Sequence, residues 1–168
     1  GPLKISVIKQ FLADTDWGEM DYLIVDCPPG TGDEPLSVCQ LIPGATGTIV
    51  VTTPQDVALA DVRRSVSFCR QLNMPLLGVV ENMAYFVCPD CGGRHYIFGR
   101  GGAFEIARLM DTQLLGRIPL DQATREGGDA GVPAALDPAS PVGAAFAEIA
   151  QIIDGSLERP AESDDDTD

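Results

Sequence analysis

The 168-residue sequence predicts an α/β fold in which a parallel β-sheet carries helices on both faces. Four short apolar runs, at 22–26, 47–52, 76–81 and 113–118, predict the strands. Segments with helical spacing or turn residues separate these runs, and such alternation is typical of parallel strands joined by right-handed crossover helices. Because ligands of these folds bind at the carboxyl ends of the strands, we expect the functional residues at that edge.

Helical spacing predicts the elements around the sheet. A first helix over 3–13 should pack on the sheet through one apolar face, formed by Ile5, Ile8, Phe11 and Leu12. Further helices are predicted at 34–41, 55–72, 102–110 and 141–154. The apolar face expected for the last helix comprises Val142, Ala145, Phe146, Ile149 and Ile153. We therefore expect one folded domain over residues 1–154, followed by an acidic disordered tail over 155–168.

The charge balance argues against two classes of partner. The chain has 25 acidic and 11 basic residues, which gives a net charge of −14, and Lys4 and Lys9 are its lysines. Nucleic-acid backbones and anionic membrane surfaces are themselves negative, so neither is an expected partner.

The cysteines predict a reducing environment. There are five of them, and the sequence shows neither a secretory signal peptide nor an apolar run of about 18 residues that could span a membrane. This usage favours a cytoplasmic protein with free or metal-bound thiols over a secreted disulfide scaffold. Cys27, Cys39 and Cys69 lie in apolar surroundings and are expected to be packing residues.

The first predicted strand leads into a candidate nucleotide site. Asp26 ends the apolar run and precedes a Pro-Pro-Gly-Thr-Gly-Asp turn at 28–33, so its carboxylate could meet a magnesium ion and bound phosphates. Gly30 and Gly32 leave backbone amides open to a terminal phosphate, and the loop could change shape when that phosphate leaves. The alternative is a plain strand-ending turn capped by a carboxylate. Asn82, after the third strand, could bind a purine edge or could simply form a turn.

The other half of a nucleotide site is not found in this sequence. No Gly-x-x-x-x-Gly-Lys-Ser/Thr motif is present, and neither lysine follows a glycine. Without that phosphate cradle, the chain as given is expected to bind ATP weakly and to hydrolyse it hardly at all.

Cys88-Pro-Asp-Cys91-Gly places two thiols at the spacing of a metal knuckle. Two ligands are too few for zinc or for a four-iron cluster. Either His95 and another residue complete the set, or a second copy of the chain supplies its own pair across a two-fold axis, which is the interpretation we favour. The remaining alternatives are a redox disulfide or a structural turn.

Taken together, these residues resemble the Mrp/ApbC family of iron–sulfur cluster carrier ATPases, relatives of MinD in the deviant Walker P-loop class. The resemblance extends from Gly1 to about Pro133. The motifs that carry it are Asp21–Asp26, Pro28–Asp33, Val51–Leu59, Glu81–Met83, Cys88–Gly92, Ile97–Gly99 and Leu115–Leu120.

The resemblance implies a cytosolic homodimer that binds ATP with magnesium and holds a 4Fe-4S cluster between paired Cys-x-x-Cys motifs, passing the cluster to apo iron–sulfur proteins. It implies catalytic roles for Asp26 and Asp33 and metal ligation by Cys88 and Cys91. The nucleotide-binding residues it implies are Asp26, Gly30, Gly32 and Asn82. A zinc- or cluster-binding scaffold without ATPase activity and a MinD/ParA-like regulatory ATPase are the alternatives.

The chain departs from this family at its beginning. Family members start with a strand and a Gly-Lys-rich phosphate loop, and this sequence starts downstream of both. We therefore expect residues 1–154 to form a partial P-loop NTPase (MinD-like) domain. The missing strand would lie beside the strand at 22–26, so its absence should expose two strand edges or force them together.

Overall fold

The computed structural model describes residues 2–28, 33–42 and 44–157. Within these ranges the chain forms α-helices and β-strands, with a short 3-10 helix at Ala134–Leu136 before the last helix. In chain order the elements are α1 (Pro2–Asp14), α2 (Asp33–Leu41), β1 (Thr48–Thr52), α3 (Asp56–Gln71), β2 (Leu76–Glu81), β3 (Phe86–Val87), β4 (Arg94–His95), α4 (Gly102–Leu109), β5 (Leu114–Arg117), α5 (Gln122–Ala130) and α6 (Pro141–Ser156).

A parallel sheet in the order β1-β2-β5 forms the centre of the described structure. Thr52, Glu81 and Arg117 are in register at the ends of the three strands, so their carboxyl ends meet at one edge. The parallel sheet is therefore confirmed, as are the three strands that build it, with bounds within one residue of those predicted.

Helices cover both faces of this sheet. Val79 and Val80 are neighbours in β2, and because successive side chains of a strand point to opposite faces, they join two separate cores. Val79 packs with residues of α3 and α4, whereas Val80 packs with residues of α6. Gly116 in β5 allows α6 to lie close to the sheet, because a side chain there would overlap Ile149. The predicted two-sided arrangement is thus confirmed.

The prediction of a strand at 22–26 is wrong. The segment is not part of either described sheet, and the side chain of Ile24 is 89% exposed. A strand is stable only when neighbours pair with its backbone, and in the described part of the chain β1 forms the edge of the sheet without pairing with this segment. Neither of the two outcomes expected here is seen in full: β1 has an exposed edge, but the segment 22–26 forms no strand that could expose a second edge or pair with β1. A hydrogen bond from the Tyr22 hydroxyl to Asp154 connects the segment to α6.

The first helix forms as predicted but packs differently. The main contacts of α1 are with α2 rather than with the sheet. Ile5, Ile8 and Leu12 are half-buried there, and Phe11, predicted on the same face, is exposed. The sheet also lacks the strand predicted at 22–26, so one of the surfaces expected to receive this helix is not formed.

The carboxyl-terminal helix extends slightly past the predicted domain boundary. Helix α6 ends at Ser156, and Val142 and Ile149 are buried as expected, but Phe146 is exposed. Most of the predicted tail, from residue 158 onward, lies outside the described residues. No described helix is both long and apolar enough to cross a membrane.

Helix α4 offers a matched test of the core. Ile106 is fully buried and Leu109, three residues later, is 51% exposed. We expect Ile106→Ala to lower the free energy of unfolding by about 2–5 kcal/mol, since it leaves a cavity between α4 and the sheet. Leu109→Ala should change it by less than about 0.5 kcal/mol. Urea denaturation followed by circular dichroism measures both, and equal losses would contradict the described packing of α4.

Candidate metal centre and nucleotide edge

A short hairpin beyond the end of β2 carries both cysteines of the Cys-x-x-Cys motif. Strands β3 and β4 pair antiparallel, with Phe86 opposite His95 and Val87 opposite Arg94. Residues 88–93 form the tip, which is closed by hydrogen bonds from Cys88 N–H to the Gly93 carbonyl and from Gly92 N–H to the Cys88 carbonyl, both 2.9 Å. The backbone of the tip is therefore organised by its own hydrogen bonds.

The base of the hairpin is attached to the main sheet. Ala84 N–H donates to the Ile118 carbonyl at 2.9 Å, and Leu120 N–H donates to the Tyr85 carbonyl at 2.7 Å. These bonds place β3 alongside the residues that follow β5. The cysteine loop consequently projects from the carboxyl edge of the parallel sheet, where ligand sites of this fold class lie.

Three potential metal ligands converge at the hairpin. One ligand atom each from Cys88, Cys91 and His95 lie within 4.8 Å of one another. Cys91 and His95 are exposed and Cys88 is half-buried. Gly93 leaves space between them, because a β-carbon at this position would lie 3.3 Å from Cys91 Sγ and 3.8 Å from His95 Nε2. The donor set is suited to zinc, to iron or to an iron–sulfur cluster.

The loop favours the thiolate form of Cys88. The pKa of Cys88 is lowered because the backbone N–H of Cys91, the backbone N–H of Asp90 and the Cys91 side chain all hydrogen-bond toward its sulfur. A thiolate is the form of cysteine that binds metal. Of the three remaining cysteines, Cys69 is buried and Cys39 half-buried, as expected for packing residues, whereas Cys27 is exposed and the packing role predicted for it is wrong.

Aromatic and cationic side chains support the hairpin. The rings of Tyr85 and Tyr96 are 6.3 Å apart with an edge-to-face geometry. Arg94 lies 4.5 Å from the centre of the Tyr85 ring, and Arg100 lies 4.7 Å from that of Tyr96. Arg94 and Arg100 thus place two positive charges shortly after the cysteine loop in sequence, although the chain as a whole has a net charge of −14.

Glu81 is a buried carboxylate at the end of the central strand. It is 2% exposed, its Oε1 accepts the Ala103 N–H at 3.1 Å, and its Oε2 lies 3.1 Å from Arg117 Nε. The contact with Arg117 is an ion pair without the alignment of a hydrogen bond. In the sequence Glu81 stands out only as part of a motif, and its signal is an acidic residue directly after five apolar or small residues in a strand.

Asn82 begins the turn that leads to the hairpin. Its backbone N–H donates to the Thr52 carbonyl at 2.7 Å, and its side-chain Oδ1 accepts the Met83 N–H at 2.9 Å. Met83 has a positive φ of 54°, which this side-chain contact helps to stabilise. Asn82 therefore forms a turn here, and its nucleotide contact stays a prediction.

The remaining predicted nucleotide residues are only partly described. Asp26 is exposed in the unpaired segment 22–28, so it does not end a strand as expected. Gly30 and Gly32 lie outside the described residues, and Asp33 is the first residue of α2. A separate depression of about 320 Å³ is lined by two residues that follow β1 and by residues of the segment that leads into α4. The lining residues are Pro54, Gln55, Phe98, Gly99, Arg100, Gly101, Gly102 and Glu105.

Comparison with known proteins defines the class and then the family. A solved nucleotide-binding protein of Archaeoglobus fulgidus, described as a complex with ADP in which cobalt was found, is similar with a TM-score of 0.69 and 43% identity, over 77% of this chain and 53% of that one. The cell division ATPase MinD of Pyrococcus furiosus is similar with a TM-score of 0.64 and 26% identity, over 94% of this chain and 60% of that one. The fold is therefore that of a MinD-like P-loop NTPase.

A family model described as ParA, NUBPL iron-transfer P-loop NTPase, matches residues 1–154. The chain is also 52% identical over 154 residues to the iron-sulfur cluster carrier protein of Saccharolobus solfataricus, covering 91% of this chain and 52% of the relative. The chain belongs to this family of iron-transfer P-loop NTPases, which confirms the resemblance seen in its motifs. It spans about half the length of the curated relatives it matches.

The buried ion pair at the sheet edge can be tested against an exposed one. Glu81→Gln removes the charge that faces Arg117, and we expect a loss of about 2 kcal/mol in unfolding free energy, below the loss for a fully buried pair because the Arg117 side chain is 37% exposed. The control is Glu105→Gln, which breaks the surface pair with Arg108 and should cost less than about 1 kcal/mol. Urea denaturation compares the two variants, and a smaller loss for Glu81→Gln than for Glu105→Gln would refute the view that the buried contacts of Glu81 with Ala103 and Arg117 stabilise this end of the sheet.

Proposed function

We propose that this chain is part of an iron–sulfur cluster carrier, in which Cys88 and Cys91 bind a 4Fe-4S cluster as cargo together with the same two residues of a second copy. The observation that carries the proposal is the convergence of the two cysteines at the tip of an accessible hairpin. The relatives named as cluster carriers support the same role. The recipients would be apo iron–sulfur proteins.

Two cysteines per chain support a shared cluster. A 4Fe-4S cluster has four irons, each of which takes one external ligand. A two-fold axis through the hairpin tips would bring four thiolates together, whereas one copy supplies half of them. The exposure of Cys91 suits cargo that must be handed to another protein, because a recipient thiol can reach the cluster there.

Nucleotide binding belongs to the proposal for the whole protein. Asp26 and Asp33 would act on the magnesium side of ATP, with Gly30 and Gly32 at its terminal phosphate and Asn82 at the adenine. The ADP and cobalt described for the Archaeoglobus relative support the proposal that a protein of this fold binds both a nucleotide and a metal. This sequence contains no phosphate-loop motif and covers 52% of the length of its Saccharolobus relative, so nucleotide binding is proposed for the whole protein and not for this chain alone.

The path between the two proposed sites is short. Asn82 lies in the turn between β2 and the hairpin, and Cys88 directly follows β3. A nucleotide that contacts Asn82 would therefore act on the base of the element that holds the cluster. We propose that ATP binding and hydrolysis change cluster affinity through this turn, in a reducing cytoplasm that keeps the thiols available.

Serine substitutions test the cluster ligands. After anaerobic reconstitution with iron and sulfide, we expect Cys88→Ser and Cys91→Ser to lose most of the bound iron and sulfide, because serine is a poor ligand for the soft cluster irons. Cys27→Ser is the matched control, since Cys27 is exposed like Cys91 but lies in another segment, and it should keep its iron. Metal and sulfide analysis measures the difference. Unchanged contents in Cys88→Ser and Cys91→Ser would refute the proposed ligands.

A further inference from the structure

His95 gives the cysteine loop a third ligand within one chain. It belongs to β4, where pairing with Phe86 fixes its position next to the hairpin tip. Its imidazole lies among the two thiols, and all three ligand atoms fall within 4.8 Å of one another. Neither the shared cluster nor the nucleotide site uses this side chain.

The spacing of the three ligands suits one metal ion. Bonds of about 2.3 Å to sulfur and about 2.0–2.1 Å to nitrogen place the ligands of a tetrahedral ion roughly 3.5–3.8 Å apart. The loop is therefore close to this geometry and needs only a small contraction around an ion. The thiolates of a 4Fe-4S cluster bind different irons and consequently stand farther apart than ligands of a single ion.

The surroundings leave room for the ion and for a fourth ligand. Gly93 has no side chain to fill the space between Cys91 Sγ and His95 Nε2. Cys91 and His95 are both exposed, so water can reach the ion from outside. The backbone bonds between Cys88, Gly92 and Gly93 already hold the loop, so that little ordering is needed on binding.

We propose that a single chain binds one divalent transition-metal ion of the zinc type through Cys88, Cys91 and His95, with the fourth position open to water. The inference rests on the assignment of the two cysteines as metal ligands above, and it adds His95 and a state that needs no second copy. Because both states use the same thiolates, an ion bound in this way excludes the shared cluster. Zinc would then compete with cluster loading.

Cobalt titration tests the site in the complete chain. Metal-free, reduced protein is titrated anaerobically with Co²⁺, whose visible bands report tetrahedral coordination and whose charge-transfer band reports thiolate ligands. We expect one Co²⁺ per chain, bound to a species with the mass of a single chain. His95→Ala should weaken binding by at least about tenfold, since even outer partners of metal ligands contribute that much.

Two further variants separate ligation from folding. His95→Cys restores a ligand and should recover binding, with a stronger thiolate charge-transfer band than the parent chain. Arg94→Ala changes the neighbouring residue of β4, which contacts Tyr85 and is not a proposed ligand, and should bind Co²⁺ within about threefold of the parent. Circular dichroism confirms that each variant is folded.

Two results would overturn the inference. One is a His95→Ala variant that binds Co²⁺ with the affinity and spectrum of the parent chain. The other is a stoichiometry of one Co²⁺ per two chains. The serine variants described above test the cluster by its iron and sulfide, whereas the His95 variants test the mononuclear site by cobalt, so that either proposal can fail without the other.

Discussion

The buried carboxylate of Glu81 is the interaction on which the functional edge of this molecule depends. It ends β2, the middle strand of the sheet, and contacts the amide of Ala103 at the start of α4 and the guanidinium of Arg117 at the end of β5. A helix N-terminus and a cation both face this charge, which makes its burial tolerable. The chain leaves β2 at the same point and turns at Asn82, and backbone hydrogen bonds from Ala84 to Ile118 and from Leu120 to Tyr85 then hold the hairpin at the end of β5, the strand whose Arg117 pairs with this carboxylate.

That arrangement lets the cysteine loop be both ordered and accessible. The base of the hairpin is hydrogen-bonded to residues beyond β5, while Cys91 and His95 at its outer part are exposed. A carrier needs this combination, because it must bind its cargo specifically and then present it to another protein. In the two proposals above, the same two thiolates bind either a cluster between two copies or an ion within one copy, and the presence of a second hairpin would decide between these states.

The sequence predicted those elements whose pattern of apolar residues reflects burial. The predictions failed where the formation of a strand depends on pairing with a neighbouring strand. The bounds of β2 were predicted to the residue because its apolar run is buried on both faces. The run at 22–26 is also apolar and ends in an acidic residue, but it has no partner in the described sheet, and composition alone cannot reveal that. Helix α5 lacks an apolar stripe and was not predicted, although its capping residue Asp121 and the left-handed Gly131 at its end were visible signals. The cysteine spacing indicated a metal site, whereas the approach of His95 depends on the register of two-residue strands, which carry no periodic pattern.

The central claim is that two copies of this chain hold one cluster between their Cys-x-x-Cys loops. Native mass spectrometry of the anaerobically reconstituted protein tests it most directly, because it counts chains and cluster atoms in the same ion. The account predicts a species of two chains with one 4Fe-4S cluster, and cluster-free protein that shifts toward single chains. A 4Fe-4S cluster carried by a single chain would contradict it.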